Sequence, residues 1–432
     1  FKESIVAWYS PYCKQRMTNF DVIESYTEDF SKYPWYNKTE RYVGNLTSKA
    51  LTVTEVLVRS ALIYTSIKPY NFKVRITGLI NNQKVIFGDD TSQYRALIVD
   101  KDGIYDINWE DNHRAYCIWM DFIGECNITI TQLPTSILKD FSGNGNHAYL
   151  YGGKGKLNSG MGVYEVDFTT YYGDVINSYT GRLTSNNKKN LGIAYHKLTK
   201  DIEPYTVKVT GIRKEVVRFV YRNEEGIEKD ILIKNDGYYT VPKCYKDGTQ
   251  GSSTTFVLFA NYDNDTEVII EQIPDYPDQL CYDGKMYAVA YDMPILTDYT
   301  IITDRTWFKD KINSWSYFVD KKRAFVFERT GNGKSFNVMS FAAETAIELQ
   351  KDGVSYQTKT SYNGNAINYH SDQADNDDML VIGSTKDSLG NQCFIGCHSD
   401  ILIFNRTLTE YEISWVKNNM MCSKQQEPDI DL

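Results

Sequence analysis

Paired carboxylates are the first chemistry to look for, because glycoside hydrolysis needs two of them about 5–10 Å apart. Glu165 and Asp167 alternate with Val166 along a predicted strand, so their side chains lie on one face. Thr170 stands where a Glu-x-Asp-x-x-Glu pattern would place its second glutamate. The chain also has no Gly-x-Ser-x-Gly elbow, phosphate-binding loop or His-Glu-x-x-His motif. The sequence therefore predicts a protein that is not an enzyme.

An acidic loop is the candidate metal site, because calcium takes six or more oxygen ligands and such a loop supplies carboxylates. Its four acidic side chains are Asp372, Asp375, Asp377 and Asp378. The alternative reading is a solvated hairpin loop without a metal. The cluster of Cys393, Cys397 and His398 lacks the second ligand pair of a zinc site. We predict no cofactor other than this calcium ion.

Aromatic side chains near loops are the candidate glycan site, because an aromatic face can stack on a pyranose ring. The chain contains 34 tyrosines, and tyrosine gives a flat apolar surface at low entropic cost. The candidates are Trp307, Trp315, Tyr317, Tyr356, Tyr362 and Tyr369. The alternative reading is that each of these residues fills a core or a surface, and that the tyrosine content reflects compositional bias.

Composition excludes several classes of protein. The length of 432 residues suggests two to four domains. The net charge of −9 argues against a nucleic-acid-binding protein, which would carry a basic face. The sequence contains no run of about 18 apolar residues, so it predicts no membrane-spanning helix. The eight cysteines are scattered, which is typical of buried free thiols in a chain large enough to build its own core.

The elements that must position these candidates are strands, and one strand unit occurs twice. Cys126–Pro134 and Glu267–Pro274 both alternate apolar with polar residues and end at Gln, an aliphatic residue and Pro. Upstream, Asp102-Gly103 corresponds to Asp236-Gly237 in the same order. Further upstream, Pro69-Tyr70 and Lys73-Val74 correspond to Pro204-Tyr205 and Lys208-Val209. We predict a duplicated β-sandwich with copies near 69–134 and 204–274.

Three further motifs resemble the LamG-like branch of the concanavalin-A-like jelly rolls. The segment Asp140–His147 is similar to the Asp-x-Ser-Gly-Asn-Gly-Asn-His opening of that family. Asp283–Tyr287 is similar to its Asp-Gly strand, with Met286 in place of an acidic residue. Ile401–Ile413 is similar to its closing strand and helix, for which Thr409 and Glu412 predict a capping box. The resemblance implies a lectin-like jelly roll.

The predicted fold is therefore all-β, with two related β-sandwich repeat units plus a LamG-like jelly roll. Since the first motif precedes the second repeat and the other motifs follow it, that repeat is predicted to be an insertion. The alternative is a degenerate jelly-roll fragment that packs locally. The predicted divisions are 1–40, a lead-in with a short strand and a helix near 19–30; 41–134, repeat 1; 135–203, first jelly-roll strands and a linker from 176; 204–274, repeat 2; 275–424, the jelly roll; and 425–432, a tail.

Nearly the whole chain resembles tail and fibre proteins from phages or prophages of Bacteroides-type bacteria. Those proteins carry the opening seen at Ser4–Pro11 and the blocks around Asn127 and Ser142. The resemblance implies a virion surface protein that binds host surface glycan or other virion proteins, with no nucleic acid partner. It also implies a homo-oligomer, for which a trimer is the expectation. The alternatives are a bacterial cell-surface or secreted glycan-binding protein, and a purely structural virion decoration protein.

Overall fold

The alternating patterns fold into antiparallel sheets, and the all-β class with two related sandwiches is confirmed. The computed structural model describes residues 2–11, 26–89, 94–110, 113–152, 156–157, 176–179, 182–185, 191–198, 201–212, 216–246, 254–260, 268–273, 279–307, 316–321, 324–329, 336–339, 347–348, 352–366, 375 and 378–421. Within these residues the helices are one α-helix and short 3-10 turns, and none is long and apolar enough to cross a bilayer.

The first sandwich, here called the N-terminal sandwich, follows a 3-10 turn at Lys2–Ser4 and strand β1 (Ile5–Tyr9). Its strands are β2 (Tyr36–Asn37), β3 (Tyr42–Leu46), β4 (Ala50–Val56), β5 (Ala61–Thr65), β6 (Phe72–Thr77), β7 (Val85–Gly88), β8 (Arg95–Val99), β9 (Gly103–Ile107), β10 (Tyr116–Met120) and β11 (Gly124–Gln132). A 3-10 turn at Thr39–Arg41 joins β2 to β3. The two sheets have the orders β2-β5-β10-β7-β8 and β3-β4-β11-β6-β9.

Three short strands come next: β12 (Ile137–Leu138), β13 (Ala148–Tyr151) and β14 (Lys156–Leu157). The second sandwich, here called the inserted sandwich, then contains β15 (Ile176–Tyr179), β16 (Arg182–Ser185), β17 (Leu191–Lys197), β18 (Tyr205–Thr210), β19 (Val216–Arg222), β20 (Glu228–Ile233), β21 (Gly237–Val241), β22 (Thr254–Ala260) and β23 (Ile269–Ile273). Its sheets have the orders β17-β22-β19-β20 and β15-β16-β23-β18-β21. These are the orders of β3 to β11 in the N-terminal sandwich, without a counterpart of β2 among the described strands.

The two sandwiches also agree in detail. Tyr105 donates from its hydroxyl to the Lys101 carbonyl at 2.7 Å, and Tyr239 donates to the Asn235 carbonyl at 2.7 Å. Gly78 and Gly211 have φ of +90° and +89° at the same turn. The repeat is therefore longer than the sequence suggested, because it starts at β3 and β15. The predicted linker at 176–203 was wrong, since it contains three strands.

Register corrects one part of the sequence alignment. Phe72 pairs with Ile107, and its equivalent Tyr205 pairs with Val241. Phe72 and Tyr205 are both 6% exposed, whereas Tyr70 is 76% exposed. The matched Pro-Tyr pairs at 69–70 and 204–205 therefore occupy different structural positions, two residues out of register. The match of Lys73-Val74 with Lys208-Val209 is wrong by the same two residues, since Val74 corresponds to Val207.

The remaining strands, together with β1 and β12 to β14, form a third sandwich, which is here called the split sandwich. They are β24 (Leu280–Asp283), β25 (Tyr287–Ala290), β26 (Thr300–Trp307), β27 (Ser316–Lys321), β28 (Phe325–Arg329), β29 (Phe336–Met339), β30 (Ile347–Glu348), β31 (Asp352–Thr358), β32 (Ser361–Tyr362), β33 (Asn365–Ala366), β34 (Leu380–Ile382) and β35 (Ile395–Phe404). A 3-10 turn lies at Lys386–Ser388, and helix α1 is Glu410–Asn419.

Strands from both sides of the inserted sandwich share the two sheets of the split sandwich. One sheet has the order β14-β24-β35-β26-β31-β32-β33, with β1 also paired to β35. The other has the order β12-β13-β25-β34-β27-β28-β29-β30. Leu157 lies directly opposite Leu280, so the chain leaves for the inserted sandwich and returns at neighbouring positions.

Helix α1 confirms the predicted capping box. The Thr409 hydroxyl accepts from the Glu412 amide, and the Glu412 carboxylate accepts from the Thr409 amide. Ile413 and Val416 are buried against the outer face of the β1–β35 sheet, as their spacing predicted. The helix predicted near 19–30 is absent at 26–30, and residues 19–25 lie outside the described part of the chain.

The N-terminal and split sandwiches share an apolar contact. Leu133, Tyr149, Tyr151 and Val289 are buried together there. The Arg75 guanidinium lies 4.7 Å from the centre of the Tyr291 ring. This contact fixes the walls of the cleft described below.

Candidate functional site

The predicted aromatic glycan site does not form a surface in the described residues. Trp307 is 1% exposed and packs edge-on against Phe394 at 4.7 Å between ring centroids. Tyr362 is buried in the same core. Tyr356 is buried beneath helix α1, where its hydroxyl donates to the Glu410 carboxylate at 2.8 Å. These three predictions were wrong, because strand alternation turns the rings into the protein and away from solvent.

The other three aromatic candidates do not add an exposed aromatic surface among the described residues. Tyr317 is half-buried on β27. Trp315 and Tyr369 lie outside the described residues. Among the six candidates, none that the structure describes has an exposed ring that could form the predicted glycan surface.

In the predicted calcium loop, the structure describes Asp375 and Asp378, and both carboxylates face basic side chains. Asp375 and Lys321 form an ion pair at 2.8 Å with both side chains fully buried. The Asp375 carboxylate also accepts from the Leu296 amide at 2.7 Å. Asp378 is exposed and lies 3.7 Å from Arg75. Asp375 therefore neutralises a buried lysine, which corrects its assignment as a calcium ligand.

Two of the four predicted ligands, Asp372 and Asp377, lie outside the described residues. Among the residues that the structure describes, no group of three or more His, Cys, Asp and Glu side chains is arranged to hold a metal ion. The described part of this loop does not fit a calcium site.

The Asp140–His147 motif is a clamp for strand β1. The Asp140 carboxylate, 3% exposed, accepts from the amides of Trp8, Ser142 and Asn146 at 2.9, 2.9 and 3.0 Å. The side-chain amides of Asn144 and Asn146 donate to β1 carbonyls at 2.7 and 2.8 Å. A Gly-Asn-rich turn suits this task, because it brings short polar side chains close to a neighbouring backbone.

A cleft opens where this motif meets the N-terminal sandwich. Its volume is about 310 Å³, and it lies between strands β6 and β9 on one side and β13 on the other. The described residues that line it are Thr27, Asn71, Phe72, Lys73, Asp106, Asn108, Leu133, Pro134, Thr135, Ile137, His147 and Tyr149. Buried Phe72, Leu133 and Tyr149 give an apolar base, and polar side chains surround it.

An ion pair marks one wall of the cleft. Lys73 and Asp106 lie opposite each other on β6 and β9, with Nζ 2.8 Å from the carboxylate. Asn71 uses its Oδ1 to accept from the Trp109 amide at 3.0 Å, which orients the side-chain NH₂ group. Asp106 is the one carboxylate among the described lining residues.

His147 supplies a donor from the opposite wall. Its Nδ1 accepts from the Asp140 amide at 3.1 Å, so the neutral ring carries its proton on Nε2. Partial burial lowers the pKa of His147, Asp140 opposes this shift, and Lys139 and Lys73 add to it. The ring is therefore neutral at pH 7, and its Nε2–H is the donor that it offers to a ligand.

Sequence reasoning predicted the local hydrogen bonding of His147 but not its place in a cleft. Asn71 and Asp106 were not identified, because a cross-strand pair appears only when the register is known. The alternation of Phe72-Lys73-Val74-Arg75-Ile76 was the available signal, since it placed Lys73 on the polar face of a strand.

Comparison with known proteins gives a distant likeness. No family model matches the chain, and no curated protein matches its sequence. Among solved structures, the chain is similar to Trypanosoma rangeli sialidase in complex with the inhibitor DANA, at 10% identity over 86% of this chain and 82% of that chain, with a TM-score of 0.24. The same sialidase with 2,3-difluorosialic acid gives 8% identity, 90% and 84% coverage and a TM-score of 0.26.

A structure of oxalate decarboxylase is similar at 10% identity, over 60% of this chain and 80% of that chain, with a TM-score of 0.13. Likenesses of this size carry no argument about activity. The chemistry of the cleft has to be judged from its own residues.

Proposed function

We propose that this chain is a non-enzymatic virion surface protein that binds a host surface glycan in the cleft between the N-terminal and split sandwiches. The observation that carries the proposal is the lining of the cleft. Amide, carboxylate, ammonium and imidazole groups surround an apolar base within one cavity. A saccharide has hydroxyl groups around an apolar ring, so it matches both parts of this lining.

The chemistry of the cleft supports binding over hydrolysis. Two-carboxylate hydrolysis needs an acid and a nucleophile or base facing one bond. The described lining offers Asp106 alone, and that carboxylate is paired with Lys73. The Glu165 and Asp167 pair considered from the sequence lies outside the described residues.

The virion assignment rests on the sequence resemblance. The Ser4–Pro11 opening and the Asp140–His147 motif are the blocks that carry it, and in the structure they are hydrogen-bonded to each other. The LamG-like resemblance has the same support, since its motifs lie in the split sandwich. Other virion proteins are the expected neighbours, in a homo-oligomer for which a trimer is proposed.

The test is a glycan array followed by calorimetry on the full chain. Asp106→Ala should weaken binding of any captured glycan at least tenfold, because it removes an acceptor and frees Lys73. Asp230→Ala is the matched control, since Asp230 forms a similar exposed cross-strand ion pair with Arg218, at 2.5 Å, on the inserted sandwich. It should leave binding unchanged.

Two results would favour the alternatives. A chain that is present in particles and captures no glycan would support a structural decoration protein. A chain found on the outer surface of uninfected bacteria would support a bacterial glycan-binding protein. Equal affinity of the two variants would remove the cleft as the glycan site.

A further inference from the structure

Two cysteines lie directly opposite each other in the split sandwich. Cys281 on β24 pairs with Cys397 on β35, in a register that runs without a break from Leu280 to Asp283. Both carry free thiols in this structure and are fully buried. The two thiols lie within hydrogen-bond reach of each other. The sequence did not reveal this pair, because the two residues meet only when β24 docks on β35.

The backbone pattern places the pair where side chains approach most closely. The Gly284 amide donates to the Phe394 carbonyl at 3.1 Å, in the same register. Hydrogen-bonded and non-hydrogen-bonded pairs alternate along antiparallel strands, so Cys281 and Cys397 form a non-hydrogen-bonded pair, whose Cα atoms are about 4.5 Å apart. A disulfide joins Cα atoms that are between about 4.4 and 6.8 Å apart. The bond is therefore within reach of this pair without movement of either strand.

The place of the pair in the fold gives such a bond an effect. Strand β24 is the strand on which the chain returns from the inserted sandwich, and it lies between the short strand β14 and β35. Strand β35 also pairs with β1 and β26. A bond between Cys281 and Cys397 fastens the returning strand to the strand around which this sheet is built. It also closes a long loop, which restricts the unfolded chain.

We propose that Cys281 and Cys397 are a disulfide site, which joins β24 to β35 when the chain folds in an oxidising environment. The oxidant is another disulfide, that of a small thiol such as glutathione or that of a protein. One cysteine thiolate attacks this disulfide and releases a thiol, and the other thiolate attacks the mixed disulfide and releases the second thiol. The two cysteines together lose two electrons and two protons, and the oxidant is reduced to two thiols.

The bond forms while the sheet is assembling. Exchange needs a thiolate. In the finished sheet, burial and the neighbouring Cys281 raise the pKa of Cys397, so its thiol stays protonated. Before β24 docks, both thiols are open to solvent and to the oxidant. The redox state at the time of folding is therefore retained afterwards. The site is independent of the glycan cleft, since neither cysteine lines it.

The test compares the full chain produced in an oxidising bacterial cytoplasm with the full chain produced in a reducing one. Free thiols are alkylated at lysis, and the chain is digested without reduction and mapped by mass spectrometry. The chain from the oxidising cytoplasm should contain two peptides joined through Cys281 and Cys397, and the chain from the reducing cytoplasm should not. The other described cysteines should be alkylated in both samples: Cys117, Cys126, Cys244 and Cys393.

A second measurement follows the consequence for the fold. The oxidised chain should unfold at a higher urea concentration than the reduced chain, because the bond restricts the unfolded state. Cys281→Ser should remove both the joined peptides and this difference. Cys244→Ser is the matched control, because Cys244 is also buried but pairs with Ile202. It should leave the joined peptides and the difference unchanged.

Three results would overturn the proposal. In the first, both cysteines are alkylated in the chain from the oxidising cytoplasm. In the second, either of them is joined to a different cysteine. In the third, the joined chain has a circular dichroism spectrum unlike that of the reduced chain, which would mean that the bond distorts the sheet.

Discussion

Asp140 joins three stretches of chain through one carboxylate. It holds β1, the turn at Ser142 and the turn at Asn146 by backbone amides. Hydrogen bonds to a buried charged acceptor are worth more than neutral ones, and each orphaned amide adds a desolvation cost. The side chain is therefore a main determinant of whether β1 stays in its sheet.

We expect Asp140→Ala to lower the free energy of unfolding by about 3 kcal/mol or more, as judged from three amides left without an acceptor. Urea denaturation measures the change, and limited proteolysis should show early cleavage near β1. Asp102→Ala is the control. The Asp102 carboxylate accepts from the amides of Gly78 and Leu79 in an exposed turn, so its loss should cost about 1 kcal/mol. Equal costs would contradict the clamp.

His398 predicts how stability depends on pH. Burial lowers the pKa of His398 from 6.5 to about 4, and the Ser399 carbonyl partly offsets this shift. The Tyr282 hydroxyl lies 3.1 Å from Nε2, and the Ser399 carbonyl lies 3.1 Å from Nδ1. The neutral ring satisfies both contacts by donating from Nδ1 and accepting at Nε2.

Below pH 6.5 His398 is protonated in the unfolded chain but stays neutral in the folded chain. The free energy of unfolding therefore falls as the pH falls. The loss is complete near pH 4 and amounts to about 3 kcal/mol, from a shift of about 2.5 pKa units. Denaturation curves between pH 7 and 4 measure it. His398→Gln should flatten this part of the profile, and an unchanged slope would assign the acid sensitivity to other groups.

At the scale of elements, the turn after β6 shows how the repeat constrains sequence. Gly78 has φ of +90°, and a Cβ at this position would lie 1.8 Å from the Asn127 carbonyl oxygen. Gly211 has φ of +89° at the equivalent turn. Only glycine allows the backbone at the end of β6 to lie so close to β11.

We expect Gly78→Ala to destabilise the chain by more than about 2 kcal/mol, because backbone strain and a backbone clash act together. Gly226→Ala separates the two effects. Gly226 has φ of +75° but no atom within 4 Å of the added Cβ, so it should cost about 1 kcal/mol. Thermal unfolding of both variants measures the difference. Similar costs would mean that the clash is relieved by movement of β11.

The sequence predicted the elements whose signal is local. The alternating segments became strands, and Thr409 with Glu412 marked the start of the helix. It missed β15 to β17, because the polar residues of 176–197 dilute the alternation. It also placed Trp307 and Tyr356 at a surface, since alternation shows that a strand has two faces but not which face is covered. The cleft depends on register and on two sandwiches meeting, which no local pattern contains.

At the scale of the whole molecule, the inserted sandwich leaves from and returns to one strand pair. Leu157 and Leu280 are direct partners on β14 and β24. Antiparallel partners at this separation can be joined by a two-residue turn. The split sandwich therefore has the geometry to close without the residues between them.

We expect a chain in which an Asn-Gly turn replaces residues 158–279 to unfold cooperatively and to retain glycan binding. The reason is that the described walls of the cleft belong to the other two sandwiches. Circular dichroism and calorimetry measure both properties. Aggregation, or a broad unfolding transition, would show that the split sandwich needs the inserted one to fold.

The pairing of β1 with β35 sets the order of events on the ribosome. The Trp8 indole donates to Asp400, 392 residues further along the chain. At about 5–20 residues per second, β1 waits on the order of half a minute for its partner strand. All five of its side chains are hydrophobic or aromatic and are buried in the finished protein. During that interval these side chains are exposed and can aggregate. A chaperone that binds them should therefore raise the yield of folded chain more than faster translation would.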